Sequence, residues 1–200
     1  MAFRSPHQLS GVLIYGDNMV YSVGISDPSS SGKQRVVWRD MLRRCYSHEY
    51  QEKNKTYSGC CVVDDWLNES AFGEWFSLNY VEGFELDKDL ILPGNKCYGP
   101  DTCIFVPKHI NSFCTSIQEK SSSLPVGCAW HSRMGLYQSY IRINGVKVHL
   151  GYYHSPKDAH NRWFEKKMSI AMSMKSEADA IHPDLHKWIL RKIESMLKLM

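Results

Sequence analysis

The residues best suited to chemistry lie in "GFELDKDLILPGNKCYGPDTCIFVPKHINSF", residues 83–113. Carboxylates at Asp87 and Asp89 are followed by a Gly-Asn turn, a Pro-bounded turn, then amides and a histidine, His109. Oxygen and nitrogen donors of this kind could hold a divalent cation. A metal centre that hydrolyses phosphodiesters needs few parts. A carboxylate and an amide or imidazole hold one ion, the ion stabilises the leaving oxygen, and a general base activates water.

The elements that must position these residues read as a hairpin followed by a helix. "FELDKDLIL" is a strand ending in polar residues, "PGNK" is the turn, and "CYGPDTCIFV" returns. "PKHINSF" begins a helix, with Pro107 at its start. Upstream, "RVVWRDMLRRCY" places Val37, Met41, Leu42 and Cys45 at helical spacing, with Arg39, Arg43 and Arg44 on the other faces. "VVDDWLNESAFGEWFSLNY" reads as one further helix with Trp66, Phe72, Trp75 and Phe76 as its apolar payload. Asp64 and Asp65 suit its N-terminal end by the helix dipole.

After a polar stretch, "QEKSSSLPVG", the pattern changes to three short strand candidates and a helix. Asn144-Gly145 is a strong hairpin signal, with alternating residues on both sides. Ser155 should cap the helix, with Pro156 at its first position and Asp158 completing a capping box. Alternation puts Ser139, Ile141 and Ile143 on one face, with Val148 and Leu150 pointing inward. It puts Gln138, Tyr140, Arg142, Lys147 and His149 on the other face, with His131 and Arg133 beside them. Cations, an amide and aromatics on one sheet face suit a major groove, with cations on phosphates and other side chains at base edges. The last segment starts at Pro183 and carries Leu185, Trp188, Ile189, Ile193, Met196 and Leu197 in a helical stripe. Core packing is the ordinary use of such a stripe; a homodimer through this helix is the sharper one.

Composition bounds these readings. Two hundred residues with 43% hydrophobic content can bury a core in one domain or two small ones. The apolar runs are too short to span a membrane, and "MAFRSPHQLSG" lacks the apolar stretch of a signal peptide, so a cytoplasmic protein is expected. The seven cysteines form no C-x-x-C pair, which argues against a zinc ribbon and for reduced, packed thiols. The net charge of +3 hides an asymmetry: residues 64–89 hold eight carboxylates against Lys88 alone, while residues 124–168 hold seven cations against Asp158 and Glu165. A basic block of domain size suits a polyanion.

Two resemblances follow from the order of these motifs. "GCAWHSRMGLYQSYIRINGVKVHLGYYHSPKDAHNRWFEKK" resembles the Apetala-type (ethylene-response-factor) DNA-binding domain, with "LYQSYI", "HLGYY" and "SPKDA" in the places of its strand and helix motifs. In that family the outer sheet face reads the major groove of duplex DNA. Trp38 to Asn111 is similar to the phage-type HNH homing endonucleases that often carry such domains. "WRDMLRRCY", "TYSGCCVVDDW", "LDKD" and "YGPDTCIFVP" stand in its motif positions. The second resemblance implies that Asp87 is the metal-binding aspartate and Asn111 the late helix residue that completes the metal pair, around Mg²⁺ or Mn²⁺. Lys88 falls where active members have their histidine base, and Thr102 falls on the asparagine that braces the hairpin. His109 lies one turn away. A lysine with an ordinary pKa of ~10.4 is protonated at neutral pH and does not accept water's proton.

The expected fold is α+β: an N-terminal ββα-metal-like HNH domain with flanking helices, then a three-stranded antiparallel sheet plus helix, then a C-terminal helix. The expected divisions are a strand-like segment and loop (1–34), an HNH-like domain (35–117), a linker (118–126), an Apetala-type domain (127–170) and a C-terminal helical segment (171–200). The expected function is sequence-specific binding of double-stranded DNA on a homing-endonuclease scaffold with weak or lost cleavage, acting as a repressor in a phage or mobile-element setting. The alternative is an active metal-dependent HNH homing or nicking endonuclease.

Overall fold

The structure is a computed structural model that describes residues 19–30, 32–115, 124–143 and 145–197. It is a mixed α and β protein. The start of the expected strand-like segment, most of the expected linker and Asn144 of the hairpin turn lie outside the described residues. The chain divides into two compact units at Leu78 and Asn79. The expected HNH-like span 35–117 therefore runs across a unit boundary.

In the first unit two short antiparallel strands, β1 (Met19–Val20) and β2 (Gly24–Ile25), precede helices α1 (Gly32–Tyr46) and α2 (His48–Lys53). A two-residue strand, β3 (Cys61–Val62), a 3-10 turn over Asp64–Leu67 and helix α3 (Glu69–Asn79) follow. Trp38, Met41, Leu42 and Cys45 form the buried stripe of α1. The Trp38 indole N–H donates to the Trp66 carbonyl at 2.8 Å. The single helix expected over 62–80 is instead broken at Asn68, whose backbone is extended and whose side chain accepts the Ser70 N–H at 2.8 Å. Asparagine offers the backbone this local alternative to helix. The aromatic payload is core as expected, with Trp66, Phe72 and Phe76 buried. Glu69 is a fully buried carboxylate that accepts from Asp27 N, Ser30 Oγ and Arg35 Nε, and so ties the 27–30 turn to α1 and α3. Arg43 and Arg44 close on Asp40 within α1.

The second unit opens with a wide hairpin. Strand β4 (Phe84–Asp87) pairs antiparallel with β6 (Ile104–Pro107), and a short strand, β5 (Cys97–Tyr98), lies in the intervening loop. Helix α4 (Lys108–Cys114) follows directly, with Pro107 at its N-cap. A three-stranded antiparallel sheet of β7 (Cys128–His131), β8 (Leu136–Ile143) and β9 (Val146–Tyr153) comes next, in the order β7-β8-β9. Helix α5 (Pro156–Ser173) packs on one face of it, and α6 (Lys175–Ile181) and α7 (Leu185–Leu197) complete the unit. Ser155 caps α5 by accepting the Asp158 N–H at 3.1 Å, while its hydroxyl donates to the Asp158 carboxylate at 2.7 Å.

One apolar cluster serves both the hairpin and the sheet. It runs from Leu90, Val106, Ile110 and Cys114 through Ile141 and Trp163 to Leu185, Ile189, Ile193 and Met196. Gly127, at φ +77°, enters this core so closely that an added Cβ would lie 2.1 Å from the Trp163 ring. Leu185, Ile189, Ile193 and Met196 of the α7 stripe are buried in this core, while Trp188 is partly buried and Leu197 exposed. Five of the seven cysteines are buried, and all are free thiols. No helix among the described residues is long and apolar enough to cross a membrane.

Candidate nucleic-acid interface and hairpin site

The outer face of the sheet collects the residues that alternation places there. Across the strands, Tyr140 stands opposite His149 and Arg142 opposite Lys147. Ser139 and Ile141, on the other face, are buried under α5. Lys147 Nζ lies 3.9 Å from the Tyr140 ring centre. Gln138 Nε2 and His149 Nδ1 are 2.9 Å apart, so the amide and imidazole are held to one another. His131 Nδ1 accepts the Met134 N–H at 3.2 Å, which fixes its ring at the turn that carries exposed Arg133. Arg133 and Arg142 make no side-chain hydrogen bond or ion pair among the described residues.

Tyr152 joins this face, and alternation alone misses it. The pairing register shifts between Ser139 and Tyr140, leaving Leu150 as the extra residue beside Gly151, whose φ is +132°. A bulge turns the following side chain to the opposite face. Tyr152 thus stands opposite Gln138, with its ring 4.6 Å from His149 and 5.2 Å from His131. A glycine inside a strand was the available signal.

The Arg142–Lys147 juxtaposition is costly by itself, since like charges directly opposite across antiparallel strands repel. No Asp or Glu occurs anywhere from Lys120 to Lys157. The positive charge of the sheet face is therefore not balanced by its own strands or turns. An anion laid on this face would relieve that repulsion.

The hairpin site has the opposite character. Asp87 ends β4 by accepting the backbone N–H groups of Asp89 and Leu90 through Oδ1, at 2.9 and 2.7 Å. This closes a local turn of the kind aspartate favours. Burial pushes the Asp87 carboxyl above its ordinary range, Asp89's charge adds to this, and the two backbone N–H groups partly offset it. Asn111, on α4, donates its amide to Glu85 Oε2 at 2.8 Å. Glu85 lies two residues before Asp87 and so on the same face of β4. Asp87 and Asn111 are brought to one face of the hairpin, each anchored through one side-chain atom, with no hydrogen bond between them.

Lys88 is buried, and its ammonium donates to the Asn95 carbonyl at 2.9 Å and to Asp89 Oδ2 at 3.2 Å. These bonds hold the loop in place and direct the ammonium at protein acceptors. Thr102 braces the return strand by donating to the carbonyls of Cys97 and Gly99, at 2.9 and 3.3 Å. Asn95 carries the larger part of that duty and sequence reading passed over it: its amide donates to the Lys88 and Cys97 carbonyls, both at 2.6 Å. His109 pairs with Glu177 of α6 at 2.8 Å. Lys192 of α7, also missed, ends 2.5 Å from Asp89 Oδ1. Burial would raise the Asp89 carboxyl, but the Lys192 hydrogen bond and charge, with Lys88, hold it below the ordinary range. Nothing near Asp89 in sequence signals a partner about a hundred residues away.

Asp87 Oδ2 and Asn111 Oδ1 are hard oxygen donors of the type that Mg²⁺ or Mn²⁺ takes, and each is pre-oriented through its other atom. Among the described residues no group of three His, Cys, Asp or Glu side chains is arranged to hold a metal ion. No family model, curated protein or solved structure matches the chain.

Proposed function

We propose that the protein binds double-stranded DNA sequence-specifically through the outer face of the β7-β8-β9 sheet, on a homing-endonuclease scaffold whose hairpin cuts weakly or not at all. In this reading residues 127–170 are an Apetala-type domain and residues 35–117 an HNH-like one. Arg133, Arg142 and Lys147 bind phosphate, while Gln138, His149 and Tyr152 lie where base edges and sugars would pass. Tight binding without strand breaks would block transcription, which makes the protein a repressor in a phage-infected or mobile-element-bearing cytoplasm.

The observation that supports DNA binding best is the Arg142–Lys147 like-charge pair on a sheet without a single carboxylate. The observation that supports loss of cleavage is Lys88, whose ammonium is tied to Asn95 and Asp89 where a base would be needed. A second reading, a metal-dependent nicking enzyme, draws on the oxygen donors of Asp87 and Asn111. A bound Mg²⁺ or Mn²⁺ would there stabilise the leaving phosphodiester oxygen. Selection from random duplexes followed by incubation of a plasmid bearing the selected site with Mg²⁺ or Mn²⁺ separates the two. Retained binding with intact strands is expected. Metal-dependent nicks that vanish in Asp87→Ala would overturn the non-cleaving reading.

A further inference from the structure

Three basic side chains of the C-terminal helices reach into the hairpin region. Lys167 donates to the Phe113 carbonyl, Arg191 to the Ile91 carbonyl, and Lys192 to Asp89. Lys192 differs from the others because it ends on a carboxylate. Asp89 Oδ1 receives Lys192 at 2.5 Å and Asp89 Oδ2 receives Lys88 at 3.2 Å, so one carboxylate is held between two ammoniums. Lys192 keeps only 17% of its side chain exposed, which weakens solvent screening of its charge. The Asp89 backbone N–H is at the same time bound to Asp87 Oδ1. The charge on Lys192 is thus delivered beside the carboxylate that would ligate an ion.

We propose that Lys192 is a built-in counter-cation that takes the electrostatic place of a divalent ion at the hairpin, so that α7 keeps the site unloaded. The proposal rests on the reading of Asp87 and Asn111 as the cation-holding oxygens. Glu85, Asp87 and Asp89 supply the negative charge that would draw an ion, and Lys88 and Lys192 cancel most of it. Mg²⁺ surrenders its water reluctantly and needs strong anionic donors to do so. A site already neutralised by its own lysines offers too little. The fold then needs no metal to satisfy Asp89, because Lys192 arrives with the folding of α7 onto the core.

The test is a Mn²⁺ titration of the full chain, followed by the electron paramagnetic resonance signal of free Mn²⁺. Lys192→Met keeps an apolar stem of similar length and removes the charge. Its Mn²⁺ affinity is expected to exceed that of the wild type by at least about tenfold, since a nearby unit charge acts strongly in a half-buried site. Lys192→Arg should keep the weak wild-type affinity, and adding Asp87→Ala to Lys192→Met should erase the gain. Equal or weaker affinity in Lys192→Met overturns the proposal, as does a gain that survives Asp87→Ala. Should Lys192→Met not fold, the wild type alone decides: its melting temperature is expected to be unchanged by EDTA, and a drop on chelation overturns the proposal. DNA affinity through the sheet should be the same in Lys192→Met, so failure here is distinct from failure of the DNA-binding reading.

Discussion

The hairpin of β4, β6 and α4 and the outer face of the β7-β8-β9 sheet both carry polar chemistry, and they use it in opposite ways. In the hairpin the functional groups turn on one another: Asp87 on backbone N–H groups, Asn111 on Glu85, Lys88 on Asn95 and Asp89, Lys192 on Asp89. On the sheet, Arg142 and Lys147 face each other with no carboxylate on any strand, and Arg133 stands exposed at the turn. Polar groups satisfied internally stabilise a shape, whereas cations left in repulsion have most to gain from an external anion. In the proposed reading the hairpin serves architecture and the sheet serves recognition.

The contrast breaks first if the shared core is broken. Trp163 lies 4% exposed in the cluster that supports both regions, against Gly127 and beside His160. Trp163→Ala is expected to cost about 3–5 kcal/mol, measured by urea unfolding. Hydrogen exchange should then rise together in the hairpin and the sheet. Exchange rising in the sheet alone would show that the regions do not share stability.

Lys167 sharpens the comparison through pH. Burial lowers its pKa from 10.5 to about 8, with Cys114 acting the other way. Between those values the unfolded chain binds a proton that the folded one has lost, so stability from this group rises as pH climbs from about 8. The buried thiols act in the opposite sense. Burial raises Cys103 and Cys114 to about 12 and Cys128 to about 11, from 9.0. Unfolded thiolates therefore draw stability away above pH 9. A shallow maximum near pH 8–9 is expected for the wild type in chemical denaturation. Lys167→Met should lose the rise below pH 9 and keep the fall above it. A smaller effect belongs to Thr102→Val, which removes the hydroxyl bonds to Cys97 and Gly99 and should cost about 1 kcal/mol with DNA affinity unchanged.

How much of this was legible in the sequence follows the range of the interactions. Short-period patterns read well: the stripe of α7, the Ser155 cap and the outward row Gln138, Tyr140 and Arg142 all depend on neighbours a few residues away. The break at Asn68 was lost because one continuous apolar run hid a local side-chain bond. Tyr152 was lost because strict alternation does not count a bulge, although Gly151 was there to suggest one. Lys192 and Glu85 were invisible because their partners depend on tertiary packing. For the same reason the bonds by which Lys88 fastens its loop did not show in the sequence.

The central claim is that recognition belongs to the sheet and not to the hairpin. Its most direct test is the dissociation constant for the selected duplex, measured at several salt concentrations for Arg142→Ala/Lys147→Ala and for Asp87→Ala in parallel. The account predicts that the sheet variant loses about a hundredfold in affinity and about two units of salt slope. It predicts that Asp87→Ala binds as the wild type does. Undiminished affinity in the sheet variant, with loss in Asp87→Ala, would contradict it.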